Sequence, residues 1–167
     1  FIARTVDTDP RHMGQVLARA ARHKGVSFVE IYQNCIIFNK DTHVPITGRE
    51  NREDRAIYLE DGKPLIFGKN KDKGIALKGF ETKIVDVKEA AGKDVLVHRE
   101  NDPSPNYAYL LTQMRYPEMP VPFGVFRDIQ KPTYDEMLDR QVQDAIKKKG
   151  KGDLKELIYG ADTWTVK

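Results

Sequence analysis

The side chains able to carry chemistry in this 167-residue sequence are few: one cysteine, Cys35, and four histidines, His12, His23, His43 and His98. Cys35 lies in SFVEIYQNCIIFN, Ser27 to Asn39, where an apolar strand runs into Gln33 and Asn34 and then resumes as Ile36-Ile37-Phe38 without a turn at Gly, Pro or Asp. A free thiol in such a setting is either a small buried hydrophobe or a thiolate that attacks or ligates. Nucleophilic use needs a base, and no histidine stands in a recognisable pairing with Cys35. His12 and His23 fall on the polar side of an amphipathic helix, His43 falls in a loop, and His98, beside Arg99 and Glu100, reads as a surface residue. The patterns CxxC, HExxH, GxGxxG and the P-loop are absent, and Gly74, Gly79 and Gly92 read as separate turn glycines.

The elements that must position Cys35 are legible around it. Phe1–Val6 reads as a strand. Asp9 caps a helix that starts at Pro10, carries Met13, Val16, Leu17 and Ala20 on one stripe and closes at Gly25 as a left-handed cap. Val26–Tyr32 is continuously apolar, as expected of a strand covered on both faces of a parallel sheet. Strand, helix and strand at this spacing make one βαβ unit. Cys35 is thereby expected just past the carboxyl end of a central strand, where open α/β sheets hold their ligands.

Beyond it, 41–55 reads as a flexible polar loop. Ile57–Leu59 and Leu65–Phe67 flank a turn at Asp61-Gly62, and Ile75–Leu77, Lys83–Val87 and Asp94–His98 continue as short strands of an antiparallel section. Ser104-Pro105 starts a second helix, with Ala108, Leu111, Met114 and Arg115 on one face, which ends before Pro117, Pro120 and Pro122. Phe123–Phe126 is a last strand or an extended segment. Thr133 and Glu136 form a capping box for a third helix, with Leu138, Val142, Ala145 and Ile146 as its buried face and Gly150 as its stop.

Composition bounds the function. With 28 Lys and Arg against 25 Asp and Glu, no global basic field exists to hold a phosphate backbone, so nucleic-acid binding is not expected. No apolar run approaches the roughly 20 residues of a membrane span, and a single cysteine builds no disulfide framework, so a cytoplasmic protein is expected. Two lysine clusters, Lys69–Lys73 and Lys147–Lys151, remain; the second complements a helix carboxyl end.

The segments HKGVSFVEIYQNCIIFN, AYLLTQMRYPEMPVPFGVFR, PTYDEMLDRQVQDA and GDLKELIYGADTW resemble the C-terminal half of the β subunit of 2-oxoacid:ferredoxin oxidoreductases, most closely the 2-oxoglutarate type. Pyruvate-type relatives often carry Pro where Asn34 stands. The resemblance implies an α/β fold: 1–40 as the end of a thiamine-diphosphate-binding parallel sheet, 41–55 as a loop, and 56–167 as a region of short antiparallel strands and C-terminal helices. It also implies thiamine diphosphate, Mg2+ and a four-iron, four-sulfur (4Fe-4S) cluster, with Cys35 as the cluster's fourth ligand and Gln33 and Asn34 as neighbours that donate to cluster sulfurs or satisfy the turn.

The reaction implied is CoA-dependent oxidative decarboxylation of 2-oxoglutarate to succinyl-CoA, with an α subunit as partner and ferredoxin as acceptor; a dock for an acidic ferredoxin is the second reading of Lys147–Lys151, beside their role at a helix carboxyl end. The other cluster cysteines and the Gly-Asp-Gly region that holds Mg2+ and diphosphate are absent from this sequence, and Phe1 opens directly on a strand. A piece of a longer subunit, with no catalytic residue of its own and inactive alone, is therefore expected. The alternatives are a pyruvate or other 2-oxoacid enzyme, and a non-catalytic α/β interaction module in which Cys35 is a buried thiol.

Overall fold

Ile2–Val6 forms strand β1, and the Asp9 carboxylate accepts the His12 amide at 3.1 Å to open helix α1, Pro10–Arg22. Strand β2, Phe28–Tyr32, then runs parallel to β1, with Ile2 opposite Phe28 and Val6 opposite Tyr32, so the βαβ unit is present. The computed structural model describes residues 1–90 and 94–166, leaving Gly92 outside, and divides into the units Phe1–Gln130 and Lys131–Lys167. Helix α1 stops earlier than expected: His23 turns to extended backbone at ψ 130° and ends it ahead of Gly25. No helix among the described residues is long and apolar enough to cross a membrane.

The stretch expected as a flexible loop contains two single-turn helices, α2 (Val44–Thr47) and α3 (Arg52–Arg55), with Ile46 and Thr47 buried. Strand β3, Ala56–Leu59, and the short β4, Ile66–Phe67, do not form the expected hairpin. The backbone groups that would close it are taken by another segment. Gly62 donates to the His98 carbonyl at 3.0 Å, His98 to Lys63 at 2.8 Å and Leu65 to Leu96 at 2.7 Å. The chain therefore crosses from one sheet to another after β3.

In the smaller sheet, β5 (Lys73–Lys78) pairs antiparallel with β4 and with β6 (Glu81–Asp86), as the short-strand pattern predicts. Gly79 sits at its hairpin turn, whereas Gly74 is inside β5: a Cβ there would come within 2.8 Å of the Val95 side chain, so close packing and not a turn requires glycine. Helix α4, Pro105–Thr112, is capped by the Ser104 hydroxyl as expected.

Val121–Arg127 is strand β7, the last strand along the described chain as the first alternative had it, but it lies inside the main sheet, whose order is β2-β1-β7-β3. It is antiparallel to β1 and parallel to β3. Pro122 is tolerated because the registered pairing with β1 begins only at Gly124, so that half of the strand ladders with β3 alone. Gly124 has a φ of +130°, and a Cβ there would lie 2.8 Å from the Leu59 carbonyl oxygen, so glycine both permits the backbone and lets β3 approach. The sheet is thus mixed, and β1 and β2 share it with strands from beyond residue 55. The largest core packs Ile57, Leu65, Ile75, Leu111, Met114 and Phe126 between α4 and the two sheets.

The unit Lys131–Lys167 holds α5 (Tyr134–Lys149), with the capping box of Thr133 and Glu136 formed and Gly150 at its end, and α6 (Leu154–Tyr159), capped by Asp153. The expected buried face of α5 is not buried: Leu138 and Val142 remain 43% and 46% exposed. Helical spacing identifies an apolar stripe but says nothing of whether anything lies against it.

Candidate functional site

Tyr32, the last residue of β2, is fixed from several sides. The Arg4 guanidinium lies 5.1 Å from its ring centre, His43 stacks on it at 4.5 Å and Phe123 meets it edge-on at 5.5 Å. From this anchor Gln33, Asn34 and Cys35 leave the sheet. The chain turns through Ile36-Ile37-Phe38, and the Asn39 amide returns to the Cys35 carbonyl at 2.9 Å. The Asn34 side-chain oxygen accepts the Asp41 amide, and the Thr42 hydroxyl donates to the Asn39 carbonyl at 3.1 Å. Through the Asp41 bond the Asn34 side chain braces the turn. Gln33 is exposed.

The tight turn brings backbone amides onto the thiol. Hydrogen bonds from the amides of Phe38 and Ile37, and more weakly Asn39, pull the Cys35 thiol below its ordinary range and outweigh the slight opposing effect of desolvation. Cys35 is exposed, so the described residues of this chain do not themselves bury the thiol. The structure also corrects the expected surroundings. Among the described residues β2 is an edge strand, Phe28 is 62% exposed, and Ile36, Ile37 and Phe38 are 78%, 85% and 90% exposed, so these residues form no dry pocket by themselves. Continuous apolarity signals a strand that becomes covered, without saying by which chain segment.

A cavity of about 540 Å3 opens beside this loop, lined by Arg4, Tyr32, Thr42, His43, Arg115 and Tyr116. A second, of about 420 Å3, lies between α1 and β3 and holds a polar cluster that spacing in the sequence did not reveal. There Asp9 accepts from the Tyr58 hydroxyl at 3.2 Å and from Arg52 at 3.4 Å, while His12 Nδ1 lies 2.8 Å from the buried Thr5 hydroxyl. Burial pushes the Asp9 carboxyl up, but the His12 amide and Tyr58 bonds, with the nearby charges of His12 and Arg52, bring it below its ordinary value. Burial lowers His12, against the pull of Asp9. The long separation of Asp9 from Arg52 and Tyr58 in sequence hid this cluster; only the carboxylate's capping role was readable.

The other histidines are structural. His23 is not on a polar surface: its side chain is 5% exposed and Nδ1 lies 2.9 Å from Asp128, which Arg19 also engages at 3.1 Å. His98 is not a surface residue either. It is wholly buried, with Nε2 2.8 Å from the Val125 carbonyl and Nδ1 3.2 Å from the Tyr107 hydroxyl, because Arg99 turns outward while His98 turns into the gap beside β7. None of the described histidines is brought to Cys35, and no group of three or more His, Cys, Asp or Glu able to hold a metal ion is found among the described residues.

No protein-family model matches the chain, and no solved structure matches it. It is 34% identical over 169 residues to the 2-oxoglutarate oxidoreductase subunit KorB of Mycobacterium tuberculosis. The chain is a relative of that oxidoreductase subunit. The alignment takes in 99% of this chain and 45% of KorB, so the chain spans about half the length of the curated relative it matches. The β-subunit likeness read from the Gln-Asn-Cys junction and the Pro-Val-Pro-Phe-Gly-Val-Phe-Arg segment is borne out, and the fold is α/β, a mixed sheet with parallel pairs and helices beside a small antiparallel sheet. At the end of β2 this chain presents an exposed thiol in a turn whose amides favour its thiolate.

Proposed function

We propose that this chain is part of the β subunit of a 2-oxoglutarate oxidoreductase and supplies Cys35 as one thiolate ligand of a 4Fe-4S cluster. The observation that carries the reading is the amide-lined, exposed thiol. A ligating cysteine must be deprotonated and reachable, and the Phe38 and Ile37 amides favour the thiolate while the turn leaves Cys35 open. The donor set fits one position of such a cluster and no more, since a cubane takes four thiolates and the sequence holds one. The remaining ligands come from outside this chain. Asn34 holds the turn closed through Asp41, and backbone amides beside the sulfur tune a bound cluster's potential as outer hydrogen bonds do.

On this reading the enzyme oxidatively decarboxylates 2-oxoglutarate with CoA. An α subunit is its partner and ferredoxin its electron acceptor. Thiamine diphosphate, held with Mg2+ outside this chain, supplies the carbon chemistry when bound. The choice of 2-oxoglutarate over pyruvate is supported by KorB's name and by Asn34 before the cysteine.

The test is co-expression of this chain with the rest of the subunit and the α subunit. The wild-type complex is expected to be brown and to bind four irons per cluster, and Cys35→Ser is expected to lose most of that iron and its visible absorption. A Cys35→Ser complex with undiminished iron and activity would remove Cys35 from the cluster.

A further inference from the structure

α5 carries an apolar stripe that nothing in its own unit covers. At the helical repeat, Tyr134, Leu138, Val142 and Ala145 fall within about 80° of one another around the axis, with Ile146 on their border. None of the residues of α5 is buried. In the same unit α6 leaves Leu154, Leu157, Ile158 and Tyr159 exposed in turn, so the two helices do not hide each other's apolar side chains.

The charges of α5 are divided between its halves. Asp135, Glu136 and Asp139 stand in the first half beside Arg140, and Lys147, Lys148 and Lys149 stand in the second beside Asp144. This division suits the helix dipole, and it also makes the helix complementary to a reversed copy of itself. A parallel copy would set lysine against lysine; an antiparallel one sets acids against lysines at both ends. With Val142 of each copy at the crossing point, residues equally far from it on either side come level. Leu138 then comes level with Ile146, Asp135 with Lys149, Glu136 with Lys148 and Arg140 with Asp144, and no two like charges do.

We propose that α5 pairs antiparallel with α5 of a second copy of this chain, about a two-fold axis at Val142. The occupant follows from charge: the pattern matches its own reverse, as a two-fold contact requires, and the opposed dipoles add to the attraction. Burial of Leu138, Val142 and Ile146 against their counterparts gives the stripe its use. On this pairing Lys148 and Lys149 meet acids of the second copy, which opposes their use as a dock for an acidic protein. The pairing draws on residues of Lys131–Lys167 alone and is independent of any cluster at Cys35.

Disulfide trapping in the complete subunit complex tests it. Val142→Cys, on the axis, is expected to link to itself under mild oxidation about tenfold more than Gln143→Cys, which lies on the far side of the helix. Linkage no greater than that of Gln143→Cys overturns the pairing. Two further Val142→Cys chains read the charges, one with Asp135→Lys and Glu136→Lys, the other with Lys148→Glu and Lys149→Glu. Each alone is expected to link about tenfold less, and the mixture to recover, because only the mixed pair brings opposite signs level at both ends. Linkage that neither swap reduces, or that mixing does not restore, overturns the assignment. If a swap unwinds α5, whose end charges then oppose its dipole, the comparison of Val142→Cys with Gln143→Cys decides alone. Where Val142→Cys does not link, its alkylation rate tells the other occupants apart: slow modification gives the face to a different chain and fast modification leaves it open to solvent, and both sink the pairing.

Discussion

β7 and β2 lie on either side of β1 in one sheet, yet six of the seven residues of β7 are buried and none of the five of β2 is. The two strands are similarly apolar. What differs is what surrounds them: β7 is laddered on both edges and roofed by the packed side chains of Ile46, Leu111 and Met114, while β2 has β1 on one edge and no strand of the described residues on the other. Apolar content measures how much a strand is meant to bury, and the geometry shows how much of that burial this chain provides for itself.

The largest expected effect separates the strands directly. Phe123 in β7 is fully buried against the rings of Tyr32 and Tyr58, so Phe123→Ala is expected to cost about 3–5 kcal/mol of stability. Phe28→Ala, at an edge open to solvent, is expected to cost less than about 1 kcal/mol. Urea unfolding of the two variants measures both. Similar losses would mean that β2 is as well packed as β7, and the contrast between them would fail.

That contrast also marks what could be read from residues alone. Caps and periods carry their information locally, so Asp9 before Pro10, Ser104 before Pro105 and the Thr133–Glu136 box all start helices where expected. Partner choice between strands is not local. Nothing in Ile57–Phe67 announces that Gly62, Lys63 and Leu65 bond to the segment carrying Leu96 and His98, which is why a hairpin was the natural expectation and a crossover the outcome. Proline at 120 and 122 obscured β7, whose central place depends on pairing β3 alone at that end. Cys35 stood out as the lone cysteine and took its expected role from the family resemblance, whereas its exposure and the amides facing it depend on a turn that no glycine or proline signals. The Asp9–Arg52–Tyr58 cluster was invisible because its members meet across the sheet.

A smaller effect belongs to the surroundings of β7. His98 bonds the Val125 carbonyl, and burial lowers its pKa from 6.5 despite that bond; His12 is lowered by burial as well. In the unfolded chain both return toward 6.5, so below that pH the unfolded state binds protons that the native state refuses. Their contribution to stability is complete above about pH 6.5 and falls away as the pH drops toward the lower native values. Stability measured by denaturant from pH 7.5 to 5 should fall, and His98→Gln, though less stable throughout, should show a shallower slope. An unchanged slope in that variant would mean that His98 takes up its proton in the folded state without penalty, contrary to its burial beside β7.

The smallest effect lies at the exposed end of β2 and concerns reactivity. The Phe38 and Ile37 amides lower the Cys35 thiol below its ordinary 9.0, so the midpoint of its alkylation rate against pH should lie below that of a cysteine in an unstructured peptide. The donors are backbone groups, so side-chain truncation is the wrong probe and proline the right one. Phe38→Pro deletes the first of these amides and should move the midpoint upward, while Phe38→Ala, which keeps the amide and removes an exposed ring, should leave it in place. If both variants shift it equally, the apolar ring and not the hydrogen bond governs the thiol. The turn would then owe its character to hydrophobic cover, the property that distinguishes β7, and not to the open, amide-lined geometry that sets the end of β2 apart.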